Sequence, residues 1–108
     1  SVFQPECRSA ELASCTPEEI RNSYDNTIRY TDHVLARAID WLDTRDDYDT
    51  ALLFASDHGE STGESGFFLH GAPKVIAPDE QTHVPMLAWL SPGFTASQGL
   101  DMACARQA

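Results

Sequence analysis

No apolar run in this 108-residue chain approaches the roughly 20 residues that a membrane-spanning helix needs, so any membrane attachment is expected outside it. Basic side chains are also scarce. Seven Lys and Arg stand against seventeen Asp and Glu, for a net charge of −10. Phosphate backbones and anionic lipid surfaces are gripped by Lys and Arg, so this balance disfavours nucleic acid and anionic membranes as partners. The acidity itself reads as ordinary solubility. Repeats and low-complexity tracts are missing. So are an initiator Met and a signal sequence, and residues 99–108 read as the opening of a helix, which together give the expectation of a segment excised from a longer protein.

Cysteine is limited to three residues. Cys7 and Cys15 flank a polar turn next to a helix start, which suits a local disulfide in an oxidising compartment. Two free thiols or half of a metal site are the alternatives, although the spacing is wider than a metal knuckle uses. Cys104 is left with a partner beyond the segment or as a free buried thiol.

Thr16-Pro17-Glu18-Glu19 opens a helix, with Thr as N-cap, Pro at the first helical position and Glu completing a capping box. Ile20, Tyr24, Thr27, Ile28, Thr31, Leu35, Ala38, Ile39 and Leu42 then recur at spacings of three and four, marking one face of a long amphipathic helix ending near Asp43. His33 falls among the charged residues of the opposite face and reads as surface. After a charged loop over 44–49, the run Thr50-Ala51-Leu52-Leu53-Phe54-Ala55-Ser56 predicts a strand covered on both faces. Helix, short loop and buried strand make half of an α/β crossover. A second apolar strand is expected over 84–90, with Pro85 at its start because proline has no N–H to donate. The prolines and polar residues of 71–81 suit turns.

The chemistry concentrates where the first strand ends. Asp57-His58-Gly59-Glu60-Ser61 places a carboxylate beside an imidazole, and both are standard ligands for a divalent metal. Successive strand side chains point to opposite faces, so both reach one ion only if the backbone turns, which Gly59 would permit. Gly59, Gly63, Gly66 and Gly71, four of the six glycines, mark the region that follows as a functional loop. His70 precedes Gly71, which can return it toward the first cluster. An N-capping Asp followed by an incidental His is the plainer alternative. Two ligands do not close a zinc site, so others must come from elsewhere in a fold. His83 either caps backbone groups or lines the same cleft. Ser61 and Thr62 have no evident activating base and read as turn residues.

Together these stretches resemble the lipid A phosphoethanolamine transferases, a sulfatase-like branch of the alkaline phosphatase superfamily that includes the colistin-resistance enzymes. The resemblance rests on Tyr24-Asp25-Asn26-Thr27 with Tyr30-Thr31-Asp32, Ser56-Asp57-His58-Gly59-Glu60-Ser61, Gly63-Glu64, Leu69-His70-Gly71, Ala77-Pro78 and Val84-Pro85-Met86. Their order and separations carry it more than any one motif. It implies an α/β fold in which a long helix is followed by buried strands of a mixed sheet, with 1–108 as the C-terminal part of a periplasmic sulfatase-like catalytic domain that follows an N-terminal membrane domain. It further implies transfer of phosphoethanolamine from phosphatidylethanolamine to lipid A through a phosphorylated threonine, and an association with polymyxin resistance. Asp57 and His58 would be zinc ligands. His70 would contact the phosphoethanolamine group or a second zinc, Glu60 would assist nearby, and Cys7 and Cys15 would form a periplasmic disulfide. In that family the nucleophilic threonine, its companion carboxylate and a further histidine belong to an earlier part of the chain. The segment alone is therefore expected to be inactive, to bind zinc weakly and not to fold fully by itself. Other readings are a phosphoglycerol transferase or arylsulfatase, and a noncatalytic periplasmic interaction module. The run from Leu69 through Pro85 favours the transferase.

Overall fold

The computed structural model describes residues 1–105, which fall into two units. One combines Ser1–His33 with Ser56–Pro85, and the other Val34–Ala55 with the described part of Met86–Ala108. In chain order the regular elements are α1 (Pro17–Asp43), β1 (Ala51–Ala55), β2 (Ser61–Thr62), β3 (Phe68–Leu69), α2 (Asp79–Thr82), β4 (Met86–Leu90), α3 (Pro92–Ser97) and α4 (Met102–Ala105).

In the first unit, α1 starts at the capping box read from the sequence. The Glu19 N–H donates to Thr16 Oγ1 at 3.2 Å, while Glu19 Oε2 accepts from the Thr16 N–H at 2.7 Å and from its hydroxyl at 3.0 Å. The segment ahead of the helix is strapped along it. Asn26 Oδ1 accepts from the N–H groups of Val2 and Phe3, and its amide donates to Phe3 O and Glu6 Oε1. Ser23 Oγ accepts from the Cys7 N–H at 2.9 Å, and Cys7 is bonded to Cys15. Closing that short loop contributes roughly 2–3 kcal/mol in the chain-entropy account. A Cys7→Ser, Cys15→Ser double variant is expected to lose about that much in urea unfolding, and an unchanged midpoint would mean that the Asn26 contacts alone hold the strap.

Two carboxyls of this unit are held below the ordinary glutamate range. For Glu19 the leading cause is the hydrogen bond from the Thr16 backbone, followed by that from its hydroxyl. Glu64 is favoured first by its own backbone N–H and further by Thr62 and the Arg21 guanidinium, while burial opposes the shift. A carboxylate preferred in the folded chain stabilises it above the ordinary range, and that stability is lost as pH falls through the lower folded value. Acid unfolding followed by circular dichroism should therefore be less steep below about pH 4.5 in a Glu19→Gln, Glu64→Gln variant. Superimposable acid transitions would contradict the assignment.

In the second unit, β1 and β4 pair antiparallel, with Ala51 opposite Leu90, Leu53 opposite Ala88 and Ala55 opposite Met86. Thr50 and Ser91 extend the pairing, the Ser91 N–H donating to Thr50 O at 2.9 Å and the Thr50 N–H to Ser91 Oγ at 3.1 Å. The sequence suggested one strand of a mixed sheet covered on both faces. Both described pairings are antiparallel instead, and burial alternates along β1, with Leu53 73% exposed. Within the second unit β1 pairs with β4 alone, and no described element of that unit covers its outward residues. The strand's apolar composition therefore records no cover among the described residues. The α1 stripe behaves similarly. Leu35, Ala38, Ile39 and Leu42 are half-buried as the periodicity predicts, whereas Ile28 is exposed. Ile20 is the one buried apolar side chain among the described residues, and Ser61, Thr62, Gln81 and Ser91 are the buried polar ones. Side-chain hydrogen bonding, more than apolar burial, holds residues 57–85 together.

Candidate metal and phosphoryl site

Three chain segments of the first unit build the site. β2 and β3 pair with Ser61 opposite Leu69 and Thr62 opposite Phe68. Continuing that register one residue outward sets Glu60 across from His70. The contact is made: His70 Nδ1 lies 2.6 Å from Glu60 Oε1. Leu69 reaches this position with φ +63° and Gly71 leaves it with φ +101°, so the strand turns sharply at the histidine. His58 comes from the turn after β1 and stacks on His70, with ring centroids 3.8 Å apart.

The hydrogen bonds assign the ring protons. Nδ1 of His58 lies 3.0 Å from Gly59 O. A carbonyl only accepts, so Nδ1 carries a proton, and in the neutral ring the lone pair is then at Nε2. The Glu60 carboxylate sets His70 in the same way, with Nδ1–H donating to Oε1 and the neutral ring's lone pair at Nε2. A carboxylate or carbonyl behind an imidazole is the usual means of orienting a metal-binding or proton-accepting histidine.

His58 stands between two carboxylates. Asp57 Oδ2 lies 3.8 Å from its Nε2, and Glu60 Oε1 lies 3.8 Å from its Nδ1. Two tetrahedral ligands bonded to one zinc ion sit about 3.4 Å apart. The Asp57 and His58 atoms are thus close to the spacing that a single ion takes, and the backbone bends at Asp57 and not at Gly59. Asp57 Oδ1 accepts from the His58 N–H at 3.0 Å, which directs Oδ2 outward. His58, Glu60 and His70 form a second, overlapping group whose ligand atoms all lie within 4.8 Å of one another, and Asp57 reaches it only through His58 Nε2, at 3.8 Å. Glu60 Oε2 is buried without a hydrogen-bond partner. An orphaned buried carboxylate oxygen is costly unless something cationic or protic meets it. On the donor set, an anionic Asp57 oxygen 3.8 Å from His58 Nε2, the residues fit a divalent cation, and the orphaned Glu60 oxygen adds a second anionic point in the same cluster.

Other polar residues named from the sequence are engaged elsewhere. Thr62 donates its hydroxyl to Glu64 Oε1 at 2.8 Å and its N–H to Glu64 Oε2, while Ser61 Oγ accepts from Gln81 Nε2, so both are structural. His83 is exposed and closes the turn of α2 through its N–H to Asp79 O. His33 is exposed on α1, and Cys104 is exposed instead of buried. Gly59 has a different role from the one its flexibility suggested. Its φ is not positive, and the constraint is contact: a Cβ there would stand 1.9 Å from Glu80 O. Gln81 was missed altogether, because 71–81 reads as turns and a four-residue helix leaves no periodicity to detect.

The chain is a member of the Sulfatase family, which matches residues 1–105. Within it, the chain is 47% identical over 103 residues to phosphoethanolamine transferase EptA of Salmonella typhimurium, covering 94% of this chain and 19% of that protein. It is also 47% identical over 88 residues to phosphatidylethanolamine transferase Mcr-1 of Escherichia coli, over 81% of this chain and 16% of the relative. The soluble domain of lipooligosaccharide phosphoethanolamine transferase A from Neisseria meningitidis has the same fold, with a TM-score of 0.94 at 43% identity over 98% of this chain and 32% of that one. The periplasmic domain of EptC from Campylobacter jejuni aligns with a TM-score of 0.81 at 44% identity, over 85% of this chain and 30% of its own. The chain thus spans about a fifth of the length of the curated relatives it matches.

Proposed function

We propose that this chain is the C-terminal part of the periplasmic catalytic domain of a zinc-dependent phosphoethanolamine transferase, with Asp57 and His58 as zinc ligands and Glu60 and His70 as the phosphoethanolamine-binding pair. The donor is phosphatidylethanolamine and the acceptor lipid A, at the periplasmic face of the inner membrane, and polymyxin resistance is the associated phenotype. The observation that carries the reading is the imidazole of His58 set between Asp57 and Glu60, with Nε2 toward the first and Nδ1 toward the second. It divides the site into two sides with different chemistry.

On the Asp57 side, a bound zinc ion supplies Lewis acidity toward a nucleophilic alkoxide and the transferring phosphoryl group. Asp57 contributes the anionic oxygen and His58 the neutral nitrogen. On the other side, Glu60 holds the His70 proton at Nδ1, which leaves Nε2 to accept a proton from, or hydrogen-bond to, the headgroup. The unpartnered Glu60 Oε2 suits the ammonium of phosphoethanolamine. None of the 105 described residues forms a helix long and apolar enough to cross a membrane, so this reading assigns lipid access to other parts of the longer protein. The remaining zinc ligands and the nucleophilic threonine are assigned there as well.

Zinc titration of the full-length protein, with Asp57→Ala and His58→Ala variants in parallel, tests the reading. Both variants should lose zinc and transferase activity together. Unchanged zinc content in both would favour a noncatalytic periplasmic interaction module.

A further inference from the structure

We infer that Gln81 is a positioning residue for this site, setting the contact between Glu60 and the two imidazoles through hydrogen bonds to their chain neighbours. Its importance for transfer rests on the functional reading above, whereas its geometric role does not. Gln81 sits in α2, is 6% exposed and uses three polar groups on three points of the site loops. Its side-chain amide donates to Ser61 Oγ at 2.8 Å. Its backbone carbonyl accepts from the Gly59 N–H at 3.0 Å. Its side-chain carbonyl accepts from the Ala72 N–H at 3.4 Å. The first two grip the residues on either side of Glu60. The third holds the chain two residues beyond His70.

One side chain therefore ties both partners of the Glu60–His70 pair to the same helix turn. The geometry leaves little alternative support. β2 and β3 are two residues each, and a two-residue ladder is weak by itself. Glu60 and His70 lie just past its end, where register is held only by what braces the flanks. Ser61 is 3% exposed, so losing its bond to Gln81 leaves buried polar atoms on both sides and gives the loop a reason to shift.

The test uses Gln81→Met, which keeps the volume and the backbone carbonyl but removes both side-chain hydrogen bonds. Ser61→Ala removes the 2.8 Å bond from the opposite side and keeps α2 intact, so it stands in if the first variant folds poorly. In the metal-free full-length protein with labelled histidines, the His58 and His70 ring protons should give a mutual nuclear Overhauser cross-peak. That cross-peak should weaken or vanish in both variants while the thermal midpoint is largely retained. In the zinc arm, affinity should fall about 10–100-fold, the range for outer-shell partners of a metal site. The Ser61→Ala, Gln81→Met double variant should be no worse than Gln81→Met alone, which already lacks both side-chain bonds. An intact ring contact in both variants would overturn the inference. A wild-type protein that binds no zinc would overturn the metal reading alone, since the ring contact is read without metal.

Discussion

Gly59→Ala is expected to disrupt the chain more than alanine at any of its other five glycines. The added Cβ would sit 1.9 Å from Glu80 O and 3.0 Å from Glu80 C, both backbone atoms that cannot swing aside as a side-chain tip can. Either α2 moves away, or residues 57–61 do. Each movement breaks the hydrogen bond from the Gly59 N–H to Gln81 O and strains the one from Gln81 to Ser61. Overpacking of this kind typically costs about 1–3 kcal/mol, and losing a buried hydrogen bond adds about 1 kcal/mol. The sum is roughly 3 kcal/mol, a large part of the stability of a small domain. Equilibrium urea unfolding measures it directly, and a loss below about 0.5 kcal/mol would show that the loop and α2 do not abut. The site should suffer in parallel, because Gly59 lies between His58 and Glu60.

The second large effect separates the roles of the site residues. Outer-shell partners of a metal commonly change affinity about 10–100-fold, so if Asp57 and His58 are the direct ligands proposed above, deleting either should exceed about 100-fold. His70→Ala should behave differently. It removes a ring held by Glu60 and stacked on His58, leaving Asp57 Oδ2 and His58 Nε2 in place. Zinc content should then persist while transfer is lost. If His70→Ala instead lowers the zinc stoichiometry by one ion, His70 is a ligand to a second zinc and not a headgroup contact. If it strips all zinc, the two-sided division of the site is wrong.

Several features were legible from residues alone because they depend on near neighbours. The capping box needs only Thr16 and Glu19, one turn apart, and it forms as read. The end of α1 at Asp43 follows from periodicity, and the disulfide joins two residues eight apart. Pro85 precedes β4 because its missing N–H is tolerated there, and its carbonyl still accepts from the Ser56 N–H. The α/β class and the family resemblance were legible for the same reason: the motifs are short and ordered along the chain.

What depends on distant residues was not legible. The apolar run Ala51–Ala55 fits a covered strand and an exposed antiparallel one equally well, since composition records what a face is suited to meet and not what lies on it. Gly59 was identified as special, but its contact is with a backbone atom at residue 80, which no local pattern encodes. Gln81 carries no motif at all.

The amino-acid sequence by itself determined the local elements, the polar cluster after β1 and the family to which the chain belongs, because each arises from residue types at short fixed spacing. Tertiary structure alone decided that Glu60 faces His70, that His58 lies between two carboxylates and that Gln81 braces them. Those relations come from strand register and from side chains meeting across 10–20 residues of loop, and hydrogen-bond geometry there is set by the folded backbone and not by order along the chain.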